Sequence, residues 1–170
     1  MGKKKRVRYL SPERERAFPS LSRSNYEATS DETTKYNCIA YVAGDESQWW
    51  QPYIGDRPTY WPDGAIKGYS IEALVSAFRA LGYTMCSGGE LEPGFEKIAL
   101  YVNANGEWAH AARQQADGSW LSKLGDWEDI CHTTVEAVEC DVYGKASRYM
   151  KRPIRKARSE KQRVGRHESQ

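Results

Sequence analysis

The chain has 170 residues, 39% hydrophobic and 12% aromatic, which is enough to bury one sizeable core. Its net charge of +2 conceals a division: residues 1–16 carry seven Lys/Arg against two Glu and residues 151–170 eight against two, a surplus of +11 that leaves residues 17–150 at −9. No run approaches the roughly 18 apolar residues of a membrane span, no apolar stretch follows the basic N-terminus as in a secretory signal, and the four cysteines show no Cys-x-x-Cys spacing. A cytoplasmic protein with free thiols is expected, with no metal or organic cofactor.

The charge division predicts a single domain over 17–152 between two basic disordered tails, 1–16 and 153–170. Such tails can bind nucleic acid or another anionic surface by counterion release. The acidic middle holds no recognisable nucleic-acid motif and would itself repel phosphate.

In chain order, the polar segment from Phe18 to Lys35 reads as an irregular lead-in. It leads to Asn37-Cys-Ile-Ala-Tyr-Val-Ala-Gly44, where Asn37 can cap a helix whose first residue is Cys38. An aromatic, proline-broken loop region follows, with Trp49, Trp50, Tyr53, Tyr60 and Trp61. Ser70 then caps a helix carrying Ile71, Leu74, Val75, Phe78 and Leu81 on one face, and Gly82 ends it. From Lys97 the period becomes two: a strand to Val102, a turn at Asn105-Gly106, a strand from Glu107 to Gln114, a turn at Asp117-Gly118 and a strand from Ser119 to Leu124. The layout is α+β, with N-terminal helices packed on an antiparallel meander.

Chemistry concentrates at Cys38. A thiol on the first residue of a helix faces unpaired N–H groups and the positive end of the dipole, which favours the thiolate and lowers its pKa. His110, on a strand, is the candidate base. A three-residue loop at 117–119 pairs 116 with 120, unites the tryptophans and Leu124 in one layer, and sets His110 opposite Asp126, whose carboxylate would hold the imidazole tautomer. A two-residue loop would turn Ser119, Leu121 and Lys123 toward His110's face, and Asp129, Ser122 and Gln114 are further groups within reach. Trp49, Trp50 and Gln114 are candidate substrate contacts beside the Cys38 helix. His132, next to Cys131 on an extended segment, points away from it and reads as a hydrogen-bonded structural histidine.

The series Tyr36-Asn-Cys-Ile-Ala-Tyr41, Trp49-Trp-Gln-Pro52, Glu96-Lys-Ile-Ala-Leu-Tyr101, His110-Ala-Ala-Arg-Gln114 and Trp120-x-Ser-Lys-Leu-Gly125 resembles a bacterial family of small uncharacterised proteins. More distantly, a cysteine opening a helix and a histidine on a later strand are similar to the papain-like superfamily, including NlpC-type cell-wall peptidases. That resemblance implies a papain-like fold and a hydrolase of cysteine-protease type, with Cys38, His110 and Asp126 in the catalytic places. Where the superfamily's oxyanion Gln would precede the cysteine, Glu32 stands instead, which leaves the Asn37 side-chain amide and the Cys38 N–H as donors. The expected activity is hydrolysis or acyl transfer at an amide, isopeptide or thioester carbonyl, on a peptide or other amide-containing substrate. The alternatives are a non-catalytic scaffold that binds nucleic acid or a protein through the basic ends, and a bacterial toxin or effector using the same site.

Overall fold

The β-rich second half sets the frame, because its alternating side chains can serve two apolar layers at once. The computed structural model describes residues 6–53, 55 and 57–155. In chain order these form α1 (Pro12–Glu15), β1 (Tyr26–Ala28), α2 (Cys38–Ala43), β2 (Trp49–Trp50), β3 (Thr59–Tyr60), α3 (Ile71–Arg79) and β4 (Thr84–Cys86). There follow β5 (Phe95–Val102), β6 (Trp108–Gln114), β7 (Trp120–Lys123), β8 (Asp129–His132), a 3-10 turn at Val135–Val138 and β9 (Lys145–Pro153). Seven strands make one antiparallel sheet in the order β1-β8-β7-β6-β5-β9-β4, and β2 and β3 form a separate parallel pair. The expected α+β class is met. Among the described residues no helix is long and apolar enough to cross a membrane.

Each face of the sheet carries its own core. On one face α2 and α3 bury Ile39, Leu74 and Phe78 against Ile98, Leu100, Ala111 and Met150. On the other, Leu10, Phe18 and Tyr26 cover Tyr101, Ala112, Trp120 and Ile130. Helix α3 has the caps its sequence announces: the Ser70 side chain accepts the Ala73 N–H, and Gly82 takes a φ of 91°. Its buried Ile71, Leu74, Val75 and Phe78 contribute about 1.5–3 kcal/mol each, whereas Leu81 is only half-buried.

Three expectations change. Residues 6–16, expected to lie free in a basic tail, are packed: Leu10 is buried, its N–H donates to the Tyr26 hydroxyl at 3.0 Å, and Ala28 N donates to the Arg8 carbonyl at 2.8 Å. Two of their four arginines are also paired, Arg8 with Asp31 and Arg14 with Glu32 and Glu128. Residues 1–5, and the C-terminal tail from 156 onward, lie outside the described residues.

The second change concerns the β6–β7 hairpin. Gln114 pairs with Trp120 and Gln115 N donates to Ser119 O at 2.7 Å, so the loop keeps three residues but is 116–118, one residue earlier than expected, and Trp120 faces Gln114 instead of residue 116. His110 and Trp120 do share a face, but the register would set His110 level with Leu124, not with Asp126. The third change is a bulge: Tyr101 pairs with His110 and Val102 with Trp108, leaving residue 109 unmatched. Trp108 therefore turns to the α3 face and stacks on Trp61, away from His110.

Candidate active site

Asn37 builds the start of α2. Its Oδ1 accepts the Ala40 N–H at 3.1 Å and the Trp50 N–H at 3.0 Å, while its Nδ2 donates to the Trp50 carbonyl at 2.8 Å. That fixes the helix cap and β2 to one another. It also engages one of the two N–H bonds of the amide that the sequence offered as an oxyanion donor. Gly44, at a φ of 86°, ends the helix after six residues. The Cys38 thiol is buried at the first of them and faces β6 and β7, against which α2 packs.

The expected lowering of the Cys38 pKa does not occur. Burial pushes the thiol up to about 11, against the opposing pull of the N–H groups of Ala111 and Ile39 and of the Lys123 charge. Two or three backbone dipoles do not offset the loss of water around a sulfur anion.

His110 belongs to the opposite core layer and has no exposed surface. Its Nε2 lies 3.0 Å from Ser122 Oγ, which lies 2.8 Å from His132 Nε2, and His132 Nδ1 lies 2.7 Å from the Thr134 carbonyl. The proton positions follow from the end of the chain. A carbonyl only accepts, so His132 carries its proton on Nδ1 and its neutral Nε2 accepts from the Ser122 hydroxyl. Ser122 Oγ is then free to accept the His110 Nε2–H. His110 is thereby held as the Nε2–H tautomer, and its Nδ1 lone pair has no partner. Burial and the neighbouring His132 hold His110 down at about 3, and burial holds His132 at about 4. Both rings are neutral at physiological pH. Tyr143 stacks on the His110 ring at 4.1 Å and Tyr101 meets it edge-on at 5.0 Å.

Cys38 and His110 approach the same part of the sheet. β6 and β7 are paired only at Arg113↔Leu121 and Gln114↔Trp120, and toward His110 and Ser122 the pairing ceases. The Gln115 N–H points across at β7, so that of Ala111, four residues back along the strand, points into this splay. The sulfur, which feels that N–H, stands at the splay from the α2 side, while the His110 ring flanks it from the other. No hydrogen bond joins the two groups.

The α2 side of the splay also buries charge. Lys123 has no exposed surface and donates to the carbonyls of Thr33, at 2.9 Å, and Trp127. Its register partner Asp129 accepts the Tyr36 hydroxyl at 2.7 Å on Oδ2 but has no partner on Oδ1. Burial lowers the Lys123 pKa and raises that of Asp129. Among the described residues no three His, Cys, Asp or Glu side chains gather as a metal centre requires.

Other predicted site residues fall as follows. Asp126 is exposed in the turn between β7 and β8, and the ring it was expected to orient is held by Ser122 instead. Trp49 donates to the Thr34 carbonyl and carries the Arg57 guanidinium over its ring, while Trp50 is buried and donates to Asp45. Gln114 is buried and donates to the Gly89 carbonyl, so it holds the 87–94 loop. Sequence reasoning missed His132 as the relay's terminus. The available signal was its offset from Ser122: two alternating strands joined by a short turn bring same-face polar residues together.

The molecule is thus an α+β protein in which a cysteine at a helix start and a histidine on a strand lie on opposite sides of a local break in an antiparallel sheet. It belongs to a family described as a domain of unknown function, DUF7689, whose model matches residues 27–151. No curated protein and no solved structure matches the chain.

Proposed function

We propose that the protein is a papain-like thiol hydrolase or acyltransferase with Cys38 as nucleophile and His110 as base. The observation that carries this reading is the relay His110–Ser122–His132–Thr134, which leaves one imidazole lone pair, Nδ1, unpaired on the strand whose next residue, Ala111, offers its N–H to the Cys38 sulfur. In the reaction the thiol proton passes to Nδ1 and the sulfur attacks an amide, isopeptide or thioester carbonyl. The imidazolium then returns that proton to the leaving amine or thiol as the carbon–nitrogen or carbon–sulfur bond breaks. Water or an acceptor amine, deprotonated by Nδ1, cleaves the resulting Cys38 thioester. Throughout, Ser122 accepts the Nε2–H and prevents the ring from flipping. With the thiol near 11 and the imidazole near 3, resting charge separation is unfavourable, so substrate must arrive before the proton moves.

The same burial favours a second reading, a papain-like scaffold without turnover that binds nucleic acid or a protein partner through its basic ends. The discriminating experiment exposes the protein to p-nitrophenyl acetate and locates the acetyl group by peptide mass spectrometry. The hydrolase reading expects acetylation at Cys38 ahead of Cys86, Cys131 and Cys140, slowed about a hundredfold or more in His110→Gln. Equal, slow modification of all four cysteines would instead leave the scaffold.

A further inference from the structure

Resting on that reading, the negative oxygen that forms when sulfur adds to a carbonyl calls for a second hydrogen-bond donor beside the Cys38 N–H. The Asn37 amide is held against Trp50, to whose carbonyl its Nδ2 donates. Two tyrosines touch the His110 ring, and they differ in what their hydroxyls do. The Tyr101 hydroxyl donates to the Val135 carbonyl at 2.7 Å and is committed. The Tyr143 hydroxyl makes no hydrogen bond among the described residues, and it reaches to the β7–β8 turn, 4.0 Å from where a Cβ on Gly125 would stand. Burial raises its pKa well above the ordinary phenol value, which keeps the proton on it, and the Cys38 sulfur is close enough for its charge to be felt there.

The placement of Tyr143 is enforced by its neighbours. Its N–H meets the Cys140 sulfur at 3.4 Å, and the next N–H, of Gly144, donates to the Cys140 carbonyl at 2.7 Å. Gly144 takes a φ of 70°, and any Cβ there would overlap the Val102 carbonyl, so only glycine lets this turn press against the end of β5. The ring then lies parallel to His110, within 7°. A rigid phenol with an uncommitted O–H, stacked on the base and within range of the Cys38 charge, is what electrostatic stabilisation of a tetrahedral intermediate requires.

We infer that Tyr143 is a catalytic residue of the proposed reaction, its hydroxyl donating to the oxyanion formed on Cys38. Tyr143→Phe keeps the stacked ring and removes only the donor. Two reagents separate the possibilities. Iodoacetamide alkylates sulfur by displacement at a saturated carbon, with no oxyanion, so its rate at Cys38 should be unchanged in Tyr143→Phe. p-Nitrophenyl acetate acylates through a tetrahedral oxyanion, so its rate at Cys38 should fall about a hundredfold. If wild type acylates and Tyr143→Phe acylates equally fast, the assignment to Tyr143 is overturned while the Cys38 reading stands. If both reagents slow equally, Tyr143 merely positions His110 and the oxyanion assignment is again overturned. Wild type that fails to acylate at Cys38 sinks the underlying reading, and this one with it.

Discussion

On the α2 face of the sheet, Lys123 and Asp129 are buried as register partners, one on two carbonyls and the other with an oxygen unpaired; on the opposite face His110, Ser122 and His132 are buried as neutral groups in one unbranched relay. The first arrangement carries a large desolvation cost and depends on every partner it has. The second costs less, because each donor meets an acceptor, no group is charged and only the His110 Nδ1 lone pair is left over. The lesson is that the charged face is brittle in energy, whereas the neutral face is sensitive to pH.

Among the substitutions, the largest effect should come from Lys123→Met, which strips two buried carbonyls of their donor and leaves Asp129 without its neighbouring cation. A loss of about 3–5 kcal/mol in urea unfolding is expected, and a loss below 1 kcal/mol would show that Lys123 is not the keystone of its face. Next comes Ser122→Ala, which severs both histidines at once. It should cost about 2–3 kcal/mol and slow any Cys38 acylation about tenfold by freeing the ring, whereas Asp126→Asn should change neither.

The smallest step, counted per ring and per pH unit, is a pH dependence. Both histidines have folded pKa values, about 3 and about 4, below the unfolded value near 6.5. The unfolded chain therefore binds protons first as pH falls. The histidine contribution is fully present above about pH 6.5 and is lost between there and pH 3–4, approaching 1.4 kcal/mol per pH unit for each ring. Urea midpoints measured from pH 7 to pH 4.5 should fall accordingly. A flat profile would mean that the relay is hydrated and that the contrast between the faces is false.

How much of this was legible depends on how local each determinant is. The Asn37 and Ser70 caps, the glycine ends and the alternation of β5, β6 and β7 are written within a few residues, and they read correctly. The face shared by His110 and Trp120 was also legible, because parity survives a register error of two. The identity of His110's partner was not, since a loop one residue earlier carries Asp126 out of reach and leaves Ser122, a diagonal neighbour on the same face, to bond the ring. Nor could the bulge at 109 be read, because nothing in Glu107-Trp-Ala-His marks it. The Cys38 environment failed for a further reason: a helix start is visible in sequence, but the burial that outweighs it comes from β6, more than seventy residues away.

The packed N-terminal segment bears on where this protein begins as a physical object. The family match opens at residue 27, yet Leu10, Phe18 and Tyr26 are buried in the layer that covers the relay, and Phe18 rests 5.7 Å from Tyr143. At about 1.5–3 kcal/mol for each buried apolar side chain, Leu10 and Phe18 alone amount to a sizeable share of the 5–15 kcal/mol that holds an ordinary domain together. The unit recognised by inheritance is therefore shorter than the unit that folds, and a fragment started at residue 27 would discard part of its own interior.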